Sequence, residues 1–264
     1  MKKSILTLGI AAVLTGVLAT CSMAYAADDE LAQIQESGKL KVGVEGTYPP
    51  YTYHDDNGEL TGFDVEVAKA IADKLGVEAD FTESDWDSLL AGIDSGRLDT
   101  VINAVSITPE REEKYDFAGP YFYITQQIVV AKDNDDIVDM ASLDGKKVAN
   151  TATTAYLDIL EDAGASLVQI STADEAVSLI ESGRADFTTF NSVVFNEYLQ
   201  QHPDANLKVA FVIPDVVDTY AVPIKKGETA LYDAVQNAID ELKEDGTLTV
   251  SYTHLRAHET AANL

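Results

Sequence analysis

The sequence predicts an α/β protein of two lobes, each a mostly parallel sheet flanked by helices, joined by two hinge strands. Three observations carry this. Strand-like and helix-like segments alternate with short links, the pattern of parallel strands covered by helices. The turn Ile93-Asp94-Ser95-Gly96-Arg97-Leu98-Asp99 recurs as Ile180-Glu181-Ser182-Gly183-Arg184-Ala185-Asp186, and the strand at 39–44 is answered by one at 146–150, so two similar units follow one another. Two extended apolar segments, 124–131 and 220–224, flank the second unit and read as paired crossings about which one lobe can turn. The first lobe is therefore expected over 27–124 and 220–248, and the second over 125–219.

Residues 39–44 (KLKVGV) form the first expected strand. Tyr48-Pro49-Pro50-Tyr51 breaks it, and Asp56-Asn57-Gly58 marks a tight turn. From Asp64 the apolar residues Val65, Ala68, Ile71, Ala72 and Leu75 recur with a helical period until Gly76 ends the helix. A strand at 78–83, a helix at 85–94 and a strand at 98–103 follow. Thr108 as N-cap and Pro109 at the first helical position then open a short helix. In the second unit a strand at 147–150 runs into a helix beginning near Thr153-Thr154. A strand at 167–170 precedes a helix opened by a capping box, Thr172 with Glu175. A strand at 186–189 and a helix at 193–201 complete the unit, and a last helix at 228–243 returns to the first lobe.

Both ends stand apart. Lys2 and Lys3 precede an apolar run at 5–19 too short to span a bilayer comfortably, and Ala24-Tyr25-Ala26 offers a small-x-small cleavage site, so 1–26 reads as a signal peptide. Cleavage after Ala26 leaves no cysteine and no disulfide. The alternative uses Cys21 in Leu18-Ala19-Thr20-Cys21, which resembles a lipoprotein processing box, as a lipid anchor. The tail at 249–264 has a single acid, Glu259, and two of the chain's four histidines, in an otherwise acid-rich protein. Its run at 251–260 reads like translated sequencing-adapter DNA, so the tail is expected to be non-native. His254 and His258 stand at helical spacing, but no further ligands lie nearby to complete a metal site.

A net charge of −27 argues against nucleic acid and anionic membrane surfaces as partners. The chain has no HExxH, CxxC, phosphate-binding glycine loop or Gly-x-Ser-x-Gly elbow, so no metal or cofactor is expected. His54 and His202 lie in polar turns, and no two carboxylates pair at a telling spacing, so catalysis has no support. A binding site does. Of the four arginines, Arg97 and Arg184 sit in the matching turns and Arg256 in the tail. Arg111 alone stands beyond the carboxyl end of a parallel-type strand, where open α/β sheets hold their ligands. Its planar fork suits a carboxylate, although a surface arginine among Glu110, Glu112 and Glu113 is the rival reading. Ser106 can donate its hydroxyl and N–H to an anion, and Thr154 at a helix N-terminus would add amide donors. Glu45 offers a countercharge for an ammonium. Tyr48 and Trp86 can wall the slot, with core packing the alternative for both. Together these groups match a zwitterion.

Glu45-Gly46-Thr47-Tyr48-Pro49-Pro50-Tyr51, Gly58-Glu59-Leu60-Thr61-Gly62-Phe63-Asp64-Val65, Asp85-Trp86-Asp87 and Val105-Ser106-Ile107-Thr108-Pro109-Glu110-Arg111 occur in that order. In this the chain, over about 31–248, resembles the bacterial extracellular solute-binding proteins of family 3, the polar amino acid receptors of ABC importers. The resemblance implies a type II periplasmic-binding-protein fold that closes on an L-amino acid. It also implies work as a monomer in the periplasm or at the cell surface, delivery to permease subunits, and membrane contact only through the permease or a lipid at Cys21. By that resemblance Arg111 grips the α-carboxylate with Ser106 and Thr154, Tyr48 and Trp86 sandwich the side chain, and Asn103 and Ala104 line the wall. Many members bind the ligand ammonium with an aspartate where this chain has Asn191, which shifts that contact toward Glu45 or backbone carbonyls. Glu45 with Asn103-x-Val105-Ser106 resembles the cystine-binding branch, making L-cystine the leading ligand. The alternative is an enzyme on the same scaffold, a dehydratase of the cyclohexadienyl or arogenate type.

Overall fold

The computed structural model describes residues 30–248. The segment read as a signal peptide, Cys21 and the atypical tail lie outside the described residues. The first part of the chain forms α1 (Glu30–Ser37), β1 (Lys39–Val44), β2 (Thr47–Tyr48), β3 (Thr52–His54), β4 (Leu60–Thr61), α2 (Phe63–Leu75), β5 (Glu78–Glu83), α3 (Trp86–Asp94), β6 (Thr100–Val101) and α4 (Pro109–Glu112). Then follow β7 (Tyr115–Ala131), β8 (Lys147–Asn150), α5 (Leu157–Asp162), β9 (Ser166–Gln169), α6 (Ala173–Glu181), β10 (Phe187–Asn191), α7 (Ser192–Gln201), β11 (Leu207–Lys225) and α8 (Thr229–Glu244).

The three-stranded parallel sheet of the first lobe and the parallel part of a five-stranded mixed sheet, β11-β7-β10-β8-β9, in which β10 pairs antiparallel with β7, share one order. In β5-β1-β6 and in β9-β8-β10 the first strand of the unit lies between the second and the third. Strand order therefore reverses beside β1 and beside β8, and the carboxyl ends of those strands bound the crevice such a sheet offers a ligand. The repeated turn explains the likeness at atomic level. Gly96 and Gly183 take positive φ of 71° and 69°, which releases each helix into its next strand. The aspartate three residues on then accepts the N–H of the unit's first strand: Asp99 from Lys41 at 2.7 Å, and Asp186 from Lys147 at 2.7 Å.

The lobes are joined by β7 and β11, which pair antiparallel from Tyr115 opposite Lys225 to Ala131 opposite Leu207. Both strands run well beyond the expected crossings. The ladder is irregular between Val212 and Val217, where Asp215 adopts a φ of 60°. Leu40, Val42 and Val44 of β1 are buried together with Ile71 of α2 and Ile239 of α8 in the largest core cluster. Ile128, Val148, Leu160 and Phe187 pack a second cluster. Burying each such side chain stabilises the fold by roughly 1.5–3 kcal/mol. α3 packs close to β1 because Gly43 and Gly92 leave room for Leu98, which a methyl at either glycine would strike.

Three expectations need correcting. The strand at 98–103 is only Thr100–Val101, because beyond it the Glu45 N–H is taken by the Asn103 side chain (2.8 Å). The helix near Thr153-Thr154 begins at Leu157: the Thr154 N–H turns back to the Thr151 carbonyl, and Leu157 to that of Thr154. In the box at α6, Thr172 accepts from the Glu175 N–H as expected, but the Glu175 carboxylate accepts from Ser171. α1 and the three short strands β2, β3 and β4 were not anticipated. Among the described residues no helix is long and apolar enough to cross a membrane.

Candidate ligand-binding cleft

Between the lobes lies a cleft of about 790 Å³, part of it open to solvent. Glu45, Tyr48, Trp86, Asn103, Ala104, Ser106, Arg111 and Thr154 all line it. Asn191 does not. Among the described lining residues Arg111 is the single base and Glu45 the single acid.

Arg111 is placed by its own short helix. The Thr108 hydroxyl accepts the Arg111 N–H (3.3 Å), with Pro109 at the first helical position. The residue is only 8% exposed. One terminal nitrogen donates to the Ser106 carbonyl and the other to the Thr153 carbonyl across the cleft, both at 2.8 Å. The guanidinium lies over the Trp86 ring, 5.3 Å from its centroid. Burial lowers its pKa, opposed by the Asp218 and Glu110 carboxylates. Trp86 thus stacks on the arginine, while its indole N–H points to the Thr153 carbonyl at 3.5 Å.

Glu45 follows β1 and is clasped by Asn103. The Asn103 amide donates to the carboxylate at 2.7 Å, and its oxygen accepts from the Glu45 N–H and from the Thr52 hydroxyl (2.7 Å). Asn103 therefore spends its side chain on holding Glu45. Burial pushes the Glu45 pKa up to about 7 against the Asn103 bond, and Asp85 and Asp87 add to the rise. Tyr48 presents its ring to the cleft and stacks on Tyr51 with centroids 5.5 Å apart.

Ala104 takes a left-handed φ of 51°, a conformation that costs an alanine about 1 kcal/mol or more. Its N–H is held by the fully buried Asp64 carboxylate of α2. That bend lets Ser106 bridge Tyr220 of β11. Burial pushes the Asp64 pKa to about 7, against the bonds from Ala104 and Tyr121. Sequence reasoning missed this support. The available signal was an acid between Phe63 and Val65 on the inward side of α2.

Beneath the floor, the Asp218 carboxylate accepts from Gln126 at 2.9 Å and from the Ser106 hydroxyl. Burial raises its pKa. Two expectations change here. Thr154 lines the cleft from a turn, so it offers no helix-end amides. Asn191 is fully buried behind the wall, where its oxygen caps α7 through the Val194 N–H (2.9 Å) and its amide donates to the Tyr220 hydroxyl (3.0 Å). The wall on the second lobe is instead neutral, with polar Asn150, Thr151, Ser171, Thr188 and Thr189 beside apolar Ile170, Ala176 and Phe190. No cluster suited to a metal ion occurs among the described residues.

The profile of the bacterial extracellular solute-binding proteins, family 3, matches residues 40–254. The chain belongs to this family. Among curated family 3 relatives, the L-cystine-binding protein TcyA of Bacillus subtilis (strain 168) is 40% identical, over 94% of this chain and 95% of its own. The L-cystine-binding protein TcyJ of Escherichia coli (strain K12) is 36% identical, over 89% and 91%. Among solved structures, an ancestral arginine-binding protein bound to arginine superposes with a TM-score of 0.77 at 36% identity, covering 83% of this chain and 98% of that one. These family 3 proteins are named for binding, not for catalysis, and the two-lobed fold is theirs.

Proposed function

We propose that the protein binds a polar L-amino acid between its lobes and delivers it to the permease of an ABC importer, with L-cystine the leading ligand. The pairing of one guanidinium with one carboxylate in an otherwise neutral cleft carries the reading. Arg111 spends two N–H groups on the Ser106 and Thr153 carbonyls, and the rest of the fork is left for the α-carboxylate. Glu45 takes the ammonium, and Tyr48 and Trp86 flank the side chain. A cationic side chain such as that of arginine would need a second acid, and the described lining residues hold none. The far end of cystine is itself a neutral zwitterion, suited to the threonines, Ser171 and Asn150 of the second lobe. The cystine-binding names of two relatives support the same choice.

Calorimetry with L-cystine, L-arginine and L-glutamine tests this. Cystine should bind tightest, with a micromolar constant or better, about −8 kcal/mol. Tighter binding of arginine would overturn the choice of ligand. Prolonged incubation should return the amino acid unchanged, since Glu45 is clasped by Asn103 and no histidine, lysine or second acid stands among the described lining residues to share a proton transfer. The protein acts as a monomer after export and cleavage following Ala26. Mass spectrometry of the mature N-terminus would find an acylated Cys21 if the lipid anchor were used instead.

A further inference from the structure

Thr153 of the second lobe has all three of its polar groups committed to the first. Its N–H (3.1 Å) and hydroxyl (2.7 Å) both donate to one oxygen of Asp87, and its carbonyl accepts from Arg111 and Trp86. The other oxygen of Asp87 accepts from the Gln169 side chain at 3.2 Å. Asp87 sits in the first turn of α3, next to Trp86, and does not line the cleft. α3 is itself fixed against β1 by the close packing of Leu98 on Gly43 and Gly92.

We propose that Asp87 is a positioning residue for ligand retention: it holds Thr153, and with it the cleft-lining turn of Thr151, Thr154, Ala155 and Tyr156, shut over the bound amino acid. This rests on the amino acid reading above. The Thr153 carbonyl shares the guanidinium that the ligand carboxylate also needs. Whatever fixes Thr153 therefore sets how Arg111 is divided between lobe contact and ligand. Asp87, Thr153 and Gln169 are all exposed at the mouth of the cleft. Water competes for such bonds when the lobes part, so they act mainly on the closed complex. The effect belongs in dissociation. Association starts from lobes not yet joined and leaves Asp87 unused.

Stopped-flow binding with L-cystine and L-arginine as probes tests the assignment. Asp87→Ala should release ligand about tenfold faster while association changes by less than about twofold. Thr153→Ala should do much the same, and the double variant should add little, because the two changes break shared bonds. Asp87→Asn keeps one acceptor oxygen and should fall between, and Thr153→Ser should release as wild type does. Because Asp87 is exposed, the variants should melt within a few degrees of wild type. Release at the wild-type rate from Asp87→Ala, or slowing confined to association, overturns the inference while leaving the amino acid reading intact. If neither probe binds the wild type, the ligand reading fails separately. Small-angle scattering then decides on the lobes alone: a larger radius of gyration for Asp87→Ala supports the clasp, and equal radii refute it.

Discussion

Lobe 1 and lobe 2 end their central strands at equivalent places in one topology and present different chemistry there. β1 ends at Glu45, a carboxylate clasped by Asn103, while β8 ends at Asn150 and Thr151, which carry no charge. The segment after β6 bends at Ala104 to deliver Ser106 and Arg111, whereas β10 runs directly into α7 with Asn191 as the cap. Both charges lining the cleft thus belong to lobe 1. The repeated scaffold fixes where a ligand sits, and the departures from the repeat decide which half recognises its charged head. Lobe 1 can engage the zwitterion alone, and lobe 2 adds neutral donors on closing. Charge-assisted hydrogen bonds are roughly twice as strong as neutral ones, so the asymmetry is energetic as well as geometric.

The comparison breaks first at Arg111. Arg111→Ala should cost about 3–5 kcal/mol of affinity, enough to abolish binding at micromolar ligand, because the carboxylate would be buried without its partner. Calorimetry at neutral pH measures it, and near-wild-type affinity would remove lobe 1 from the primary role. Glu45→Gln comes next, at about tenfold in affinity. It carries a pH signature as well. Burial holds the free Glu45 near a pKa of about 7, with Asp85 and Asp87 pushing the same way and Asn103 opposing them. An ammonium prefers the ionised carboxylate, so binding lowers that pKa and releases a proton. Wild-type affinity should therefore weaken as pH falls below about 7, by up to tenfold per unit, until the pKa of the complex is reached. Glu45→Gln should flatten the profile. On lobe 2, Thr151→Ala or Thr154→Ala should cost only about 0.5–1.5 kcal/mol, read by the same titrations.

What the sequence made legible follows the range of the interactions. Arg111 could be placed because its position depends on neighbours, with Thr108 capping and Pro109 starting a helix too short to aim it elsewhere. The strand β1, the helix α2 with its Gly76 stop and the repeated turn are local in the same sense. The errors lie where distant groups compete for a donor or acceptor. Thr154 reads as a helix cap until the turn at Thr151 claims its N–H. Asn191 reads as a wall residue until α7 and Tyr220 take its side chain. Asp64 and Asp87 act on residues 40 and 66 positions away, and no spacing pattern reveals that.

The smallest effect on affinity tests the scaffold that the lobes share. Asp99 and Asp186 make the same bond to the first strand of their units, at 2.7 Å in both. Asp99→Ala and Asp186→Ala should each cost about 1–2 kcal/mol of stability in urea unfolding, with ligand affinity unchanged within about twofold. Asp99 has two additional, opposed contributions. The half-exposed Lys41 ammonium approaches the buried carboxylate at 3.7 Å, a contact worth at most about 1 kcal/mol, while burial penalises the charge and raises its pKa above the ordinary 3.8. A carboxyl whose folded pKa is raised favours the fold most when protonated. That contribution is present below pH 3.8 and is lost as pH rises through the raised value. The penalty of Asp99→Ala should accordingly shrink between pH 4 and pH 8. A penalty that grew over that interval would mean that the Lys41 contacts outweigh burial, and that the first copy of the turn is held by charge where the second is held by the backbone bond alone.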